Sequence, residues 1–201
     1  MKKFLSVLLM FALLILAGCS NEKTAEQFAP AEPPIKTITR LEANATLAEL
    51  SSGLNVRVDD MKEVTFCHCP INHDIHPSIY IIPYVVVDKG YQVSLRQDIL
   101  YVGREVLYFD TLYIKTSDGV DTFRYEETVK SLNGGYYGEE YVDRMTDALY
   151  QKLQTAIKEG GAKFRFEGRQ LAERNLTRKE LSDMMKVFAI YEFFKEVKVV
   201  N

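Results

Sequence analysis

Ile79-Tyr80-Ile81-Ile82-Pro83-Tyr84-Val85-Val86-Val87, then Asp88-Lys89-Gly90, then Tyr91-Gln92-Val93-Ser94-Leu95-Arg96, is the stretch that decides the fold. The first run is almost entirely β-branched or aromatic, and such side chains suit a pleated surface. The last run alternates apolar and polar residues, and a turn tripeptide separates the two. That pattern predicts a β-hairpin. Pro83 cannot donate to a ladder, which predicts an edge position or a bulge there.

Outward from the hairpin, Val64-Thr65-Phe66 reads as a short strand. Val106 to Ile114 is apolar on both faces near its start, which predicts a central strand. Ser117-Asp118-Gly119 is a turn, and Val120 to Tyr125 completes a second hairpin. After Asn133-Gly134-Gly135 the period changes. From Glu139 onward, Val142, Met145, Leu149, Leu153 and Ala156/Ile157 recur at three- and four-residue gaps, one face of a helix. Glu139, Glu140 and Asp143 then fall in its first turns, where the helix dipole favours acids, and Gly160-Gly161 stops it. Ala162 to Glu167 alternates strictly, a strand with Phe164 and Phe166 inward and Lys163 and Arg165 outward. Thr177 and Glu180 form a capping box. The helix behind it packs Leu181, Met184, Met185 and Phe188 and ends near Lys195, and Val197 to Val200 adds a short strand. Upstream, Ala43, Leu47, Leu50 and Leu54 share one face of a lead-in helix. The expected fold class is α+β: a largely antiparallel twisted sheet or small sandwich with two helices in the C-terminal half.

The 201 residues are 47% hydrophobic and 26% charged, which excludes a disordered or collagen-like chain. Lys and Arg number 25 against 28 Asp and Glu, a formal charge of −3. That balance argues against nucleic acid as a partner, because phosphate binding needs clustered positive charge.

The N-terminus reads as an address. Met1-Lys2-Lys3 precedes an apolar run from Phe4 to Ala17, the n-region and h-region of a secretory signal. The run falls short of the roughly 20 residues that span a bilayer. It ends in Leu16-Ala17-Gly18-Cys19, and here the chain resembles a bacterial lipoprotein, whose lipobox has this form. The resemblance implies cleavage before Cys19, a diacylglyceryl thioether on its sulfur and an acylated amino group. The partner is then the membrane, held through N-terminal acyl chains, since two or more chains make a stable anchor. Ser20 follows the lipidated Cys, which by the same resemblance favours the outer membrane, facing the periplasm, in a Gram-negative host. Losing residues 1–18 removes Lys2 and Lys3 and no acid, leaving 23 basic against 28 acidic residues, or −5. Residues 19–40 read as the acylated Cys and a flexible linker rich in Pro, Ala and polar residues. Residues 41–201 read as one globular domain. Its stretch from Val106 to Tyr191 also resembles a domain of uncharacterised bacterial proteins: a hairpin, a helix, a strand ending at Arg165-Phe166-Glu167-Gly168, and a closing helix with a late Tyr. That resemblance implies no activity.

One segment concentrates chemistry. Cys67-His68-Cys69-Pro70-Ile71-Asn72-His73-Asp74-Ile75-His76 holds all three histidines and both remaining cysteines. Side chains alternate along a strand, so Cys67 and Cys69 share a face and His68 takes the other. Three readings stay open. Cys67 and Cys69 form a tight disulfide in an oxidising compartment; Cys67, Cys69, His73 and His76 hold zinc, though one residue between thiols is not the usual zinc spacing; or the segment has no special role. A strained disulfide would also suit thiol exchange.

Two weaker features remain. Lys158, Lys163, Arg165, Arg169, Arg174, Arg178 and Lys179 make residues 158–179 locally basic, a solvated face or a surface for anionic glycan or lipid. Tyr136, Tyr137 and Tyr141, beside Gly134-Gly135 and Gly138, predict an exposed aromatic contact loop. No Gly-x-Ser-x-Gly, His-Glu-x-x-His, Walker A, dinucleotide-binding or EF-hand signature is present. Paired carboxylates leave no local signature, so a carboxylate enzyme stays open. The reading reached from sequence is a lipid-anchored envelope protein, non-enzymatic and serving binding or structure, with an envelope protein or glycan as partner and no cofactor. The alternative is a metal-binding or thiol-redox module centred on residues 67–76.

Overall fold

The computed structural model describes residues 35–71 and 78–200. The folded unit begins at Ile35, ahead of the expected boundary. Strand β1 (Lys36–Thr39) lies where the linker was expected and leads directly into helix α1 (Arg40–Leu50). The reason is non-local: β1 pairs in parallel with β12 (Val197–Val200) at the far end of the chain, and Ile38 is buried. Thr39 caps α1. Its hydroxyl accepts the Glu42 N–H, and the Glu42 carboxylate accepts the Thr39 N–H at 2.7 Å.

The largest sheet has six antiparallel strands, in the order β2 (Asn55–Asp59), β3 (Val64–His68), β4 (Ser78–Asp88), β5 (Val93–Gly103), β9 (Tyr136–Arg144) and β8 (Val129–Asn133). The β4–β5 hairpin is its centre, as the opening sequence predicts. Pro83 is therefore not on an edge strand. It faces Gln97 across the hairpin, and its carbonyl accepts the Cys69 N–H at 3.4 Å, one residue past the end of β3. A residue in an antiparallel ladder turns its N and O to the same neighbour. The missing Pro83 donor thus falls where the β3 ladder stops.

The second sheet has four strands, ordered β11 (Leu171–Asn175), β10 (Lys163–Glu167), β6 (Thr111–Thr116) and β7 (Gly119–Arg124). Phe164 and Phe166 are fully buried on β10, while Lys163 and Arg165 are exposed, as alternation requires. Strand β11 answers β10 with Glu173 opposite Arg165. Helices α2 (Asp147–Glu159) and α3 (Arg178–Glu196) pack on each other, α2 also against β6 and α3 against β4 and β5. Together with the sheets they enclose one core, to which α3 contributes Met184, Val187, Phe188, Ile190 and Phe194. The protein is an α+β fold with mostly antiparallel sheets.

Two expected elements differ. Val106 to Asp110 is not strand but a loop, with Tyr108 at φ 52°. The loop is fixed from below by Glu139, fully buried on β9, whose carboxylate accepts the N–H groups of Leu107, Tyr108 and Phe109. It is fixed from the side by Gly168, where a Cβ would collide with the carbonyl oxygens of Leu107 and Tyr108. The helix expected from Glu139 starts only at Asp147, capped by Thr146, because Tyr136 to Arg144 pairs along β5 instead. The helical spacing of Val142 and Met145 is fortuitous: Val142 is a half-exposed strand residue. Gly160, at φ 72°, does end α2, with the Gly161 N–H reaching back to the Ala156 carbonyl.

Candidate functional site

Alternation places Cys67 and Cys69 on the helix-facing side of the large sheet, where both are buried and stand as free thiols. No disulfide joins them; a disulfide is one of the three readings the sequence leaves open. Burial pushes the Cys67 thiol up to about 11, and burial with the nearby Asp183 carboxylate pushes Cys69 higher still. Reactive thiols need the opposite shift. His68 takes the other face and stacks on Tyr84, ring centroids 4.4 Å apart. Burial and the Arg57 guanidinium hold its imidazole below the usual range. His73 and His76 lie outside the described residues, as does Cys19. Among the described residues no group of three or more His, Cys, Asp or Glu is placed to hold a metal ion.

The tyrosines expected on a contact loop are strand residues. Tyr136, Tyr137 and Tyr141 all lie on β9 and are half-buried, because the Gly134-Gly135 turn is too tight to carry them. Tyr141 packs on Tyr125, centroids 4.5 Å apart, and donates to Asp143 at 2.9 Å. The basic stretch is largely neutralised. Lys163 and Arg165 both meet Glu173, Arg174 meets Glu180, and Lys179 meets Asp183. Arg169 lies over the Tyr108 ring, 4.0 Å from its centroid.

Two constellations escape the sequence reading. The first is a carboxyl pair on the sheet face opposite the cysteines. Asp98 on β5 and Glu140 on β9 are diagonal neighbours, since Asp98 faces Val142 and Glu140 faces Leu100. They share a hydrogen bond. Burial, then the Glu140 charge, raises the Asp98 carboxyl to about 7. Tyr84 and Arg96 adjoin them on the same face. The Nε of Arg96 and one Asp98 oxygen are buried without a partner among the described residues. Asp98 was missed because the alternating run read from sequence stops at Arg96, whereas β5 continues to Gly103. Glu140 was missed because its segment carried a helical period, whereas it lies on β9.

The second is a cavity of about 570 Å³ where β5, β9, α2 and α3 meet. Val93, Leu95 and Met145 form its apolar part, Tyr150 and Tyr191 an aromatic wall, and Arg144 and Lys195 its positive charge. That size and mixture suit a small ligand. Tyr150 is held in place. Its hydroxyl donates to Glu192 at 2.5 Å and accepts from the Gln154 amide at 2.5 Å, and its ring meets Phe188 edge-on at 4.8 Å. Burial and the Glu192 hydrogen bond raise its phenol above the ordinary range, so it serves as a neutral, fixed wall. A comparison with protein-family models, with curated proteins and with solved structures finds no match to this chain.

Proposed function

We propose that the chain is a lipid-anchored protein of the cell envelope, tethered through acyl chains on Cys19, whose α+β domain serves binding or structure. The observation that carries this reading is Leu16-Ala17-Gly18-Cys19, set directly behind an apolar run that follows Lys2-Lys3. A run too short to span, ending at a lipidatable Cys, serves a membrane address better than a membrane helix. The cavity of about 570 Å³, with its aromatic walls and cations, supports the binding role. The thiols of Cys67 and Cys69 give the redox alternative little chemical support, since thiolate is scarce at neutral pH when burial raises the pKa.

The test is a fractionation. Cys19→Ala should abolish incorporation of a fatty-acid analogue and leave an unprocessed precursor. Replacing residues 1–19 with a plain secretory signal should release the domain in soluble form. Persistent labelling of the alanine variant, or retention of the re-addressed domain in membranes, would overturn the proposal.

A further inference from the structure

The 570 Å³ cavity has walls of two kinds. One wall is aromatic and fixed. Tyr150 is held by Glu192 and Gln154, and Tyr191 meets its ring edge-on, centroids 6.0 Å apart. Glu192 itself lines the neighbouring cleft and not this cavity. The other wall is polar and unengaged. Ser94 on β5, Arg144 on β9, Asp147 and Gln151 on α2, and Lys195 on α3 all face this one space. None of these five side chains forms a hydrogen bond or ion pair with a described residue. Lys195 lies against Tyr191, its ammonium 5.4 Å from the ring centroid. Asp143, the residue before Arg144, is already engaged: it accepts the Tyr141 hydroxyl at 2.9 Å and the Arg144 N–H at 2.6 Å.

We propose that this cavity binds a monosaccharide acid, a pyranose ring carrying one carboxylate. This rests on the binding role proposed above and is independent of the anchor. The lining selects the class by elimination. Arg144 and Lys195 outnumber Asp147 by one charge, which suits a ligand with a single negative group, and a carboxylate matches the planar guanidinium fork. An acid, an amide and a hydroxyl in the same space suit ligand hydroxyls: Asp147 accepts from them, while Gln151 and Ser94 both donate and accept. A carboxylate without hydroxyls leaves those three groups unsatisfied, and Asp147 then only repels it. An inorganic anion leaves Tyr150 and Tyr191 uncovered. A pyranose acid meets every part, with its C–H face on the aromatic wall, its hydroxyls on Asp147, Gln151 and Ser94, and its carboxylate on the two cations. The volume lies within the roughly 300–1,000 Å³ of small-molecule sites.

The experiment is a calorimetric titration of the full chain in lipid nanodiscs, with glucuronate, glucose and cyclohexanecarboxylate as probes. Glucuronate should bind at least about tenfold more tightly than either of the others, since each of them lacks one set of hydrogen bonds. Arg144→Gln with Lys195→Gln should weaken glucuronate by about tenfold or more and leave glucose unchanged. Asp147→Ala separates a sugar site from a general anion site. It should weaken glucuronate about fivefold, whereas loss of an acid would strengthen binding at a site that reads charge alone. All three positions are exposed, so the fold is retained. Absence of glucuronate binding, equal affinity for glucose or cyclohexanecarboxylate, an unchanged double variant, or tighter binding in Asp147→Ala would overturn the proposal. Cyclohexanecarboxylate bound as tightly as glucuronate would remove the sugar and keep the binding role. None of these results touches the Cys19→Ala fractionation, so loss of the ligand class and loss of the anchor are told apart.

Discussion

Glu139 and Glu140 are adjacent on β9 and point to opposite faces of the same sheet. Glu139 is fully buried, yet its carboxylate accepts three backbone N–H groups from one loop. Glu140 is half-buried and faces another carboxyl, Asp98, with which it shares a hydrogen bond. Burial sets the stakes for a carboxylate, and the neighbours it is given decide the outcome. Donors turn one into a structural clamp that fixes residues 107–109. The other faces a second acid, and its charge, after burial, helps raise the Asp98 carboxyl to about 7.

Breaking the clamp should have the largest effect. Glu139→Ala leaves three backbone donors without a partner, at about 1–3 kcal/mol each before water relaxes them, so a net loss of about 3–5 kcal/mol is expected. Glu140→Ala should cost at most about 1 kcal/mol, because it also removes a repulsion. Equal losses in urea denaturation would dissolve the contrast. Phe166 supports the same loop from the core, its ring centroid 4.7 Å from that of Phe109. Phe166→Ala should cost about 3–5 kcal/mol. With Glu139→Ala it should fall short of additivity, since both variants release one loop.

The carboxyl pair predicts a smaller effect with a definite sign. Asp98 is raised from 3.8 to about 7, so between those values the fold holds a proton that the unfolded chain has lost. Its stabilising contribution is full below pH 3.8 and disappears as pH rises through about 7. His68 is shifted down, so its contribution runs the other way, present above its ordinary value and lost on acidification. The comparison must therefore be between wild type and Asp98→Asn. From pH 5 to pH 8 the melting temperature of wild type should fall relative to the variant by roughly 5–10 °C, the shift expected from about 2–3 kcal/mol, two pH units at about 1.4 kcal/mol each, in a domain of this size. Parallel curves would show that the pair does not share a proton. The smallest effect belongs to Lys163→Ala, exposed and paired only with Glu173, where a change within about 0.5 kcal/mol is expected.

Strands with clean alternation were legible in the sequence: Phe164 and Phe166 are buried as their spacing requires, and the Thr177–Glu180 box opens α3. So were the faces of Cys67, His68 and Cys69, because a two-residue period needs no tertiary information. What stayed hidden depended on partners far along the chain. β1 pairs with β12, and the helical spacing after Glu139 yielded to pairing with β5. That misreading also concealed the carboxyl pair, since Glu140 on a helix would have had no reason to meet Asp98. The cavity was hidden for a similar reason, being assembled from four elements whose packing no local pattern records. The proposed anchor is the reverse case, a short motif read from sequence alone.

The central claim, that this domain is held to a membrane by lipid on Cys19, is tested most directly by the mass of the mature N-terminal peptide from detergent-extracted protein. The account predicts that the chain begins at Cys19, with a thioether-linked diacylglyceryl group and an acylated amino group. A peptide that runs through Gly18-Cys19 uncut, or one that begins at Cys19 with a free thiol, would contradict it.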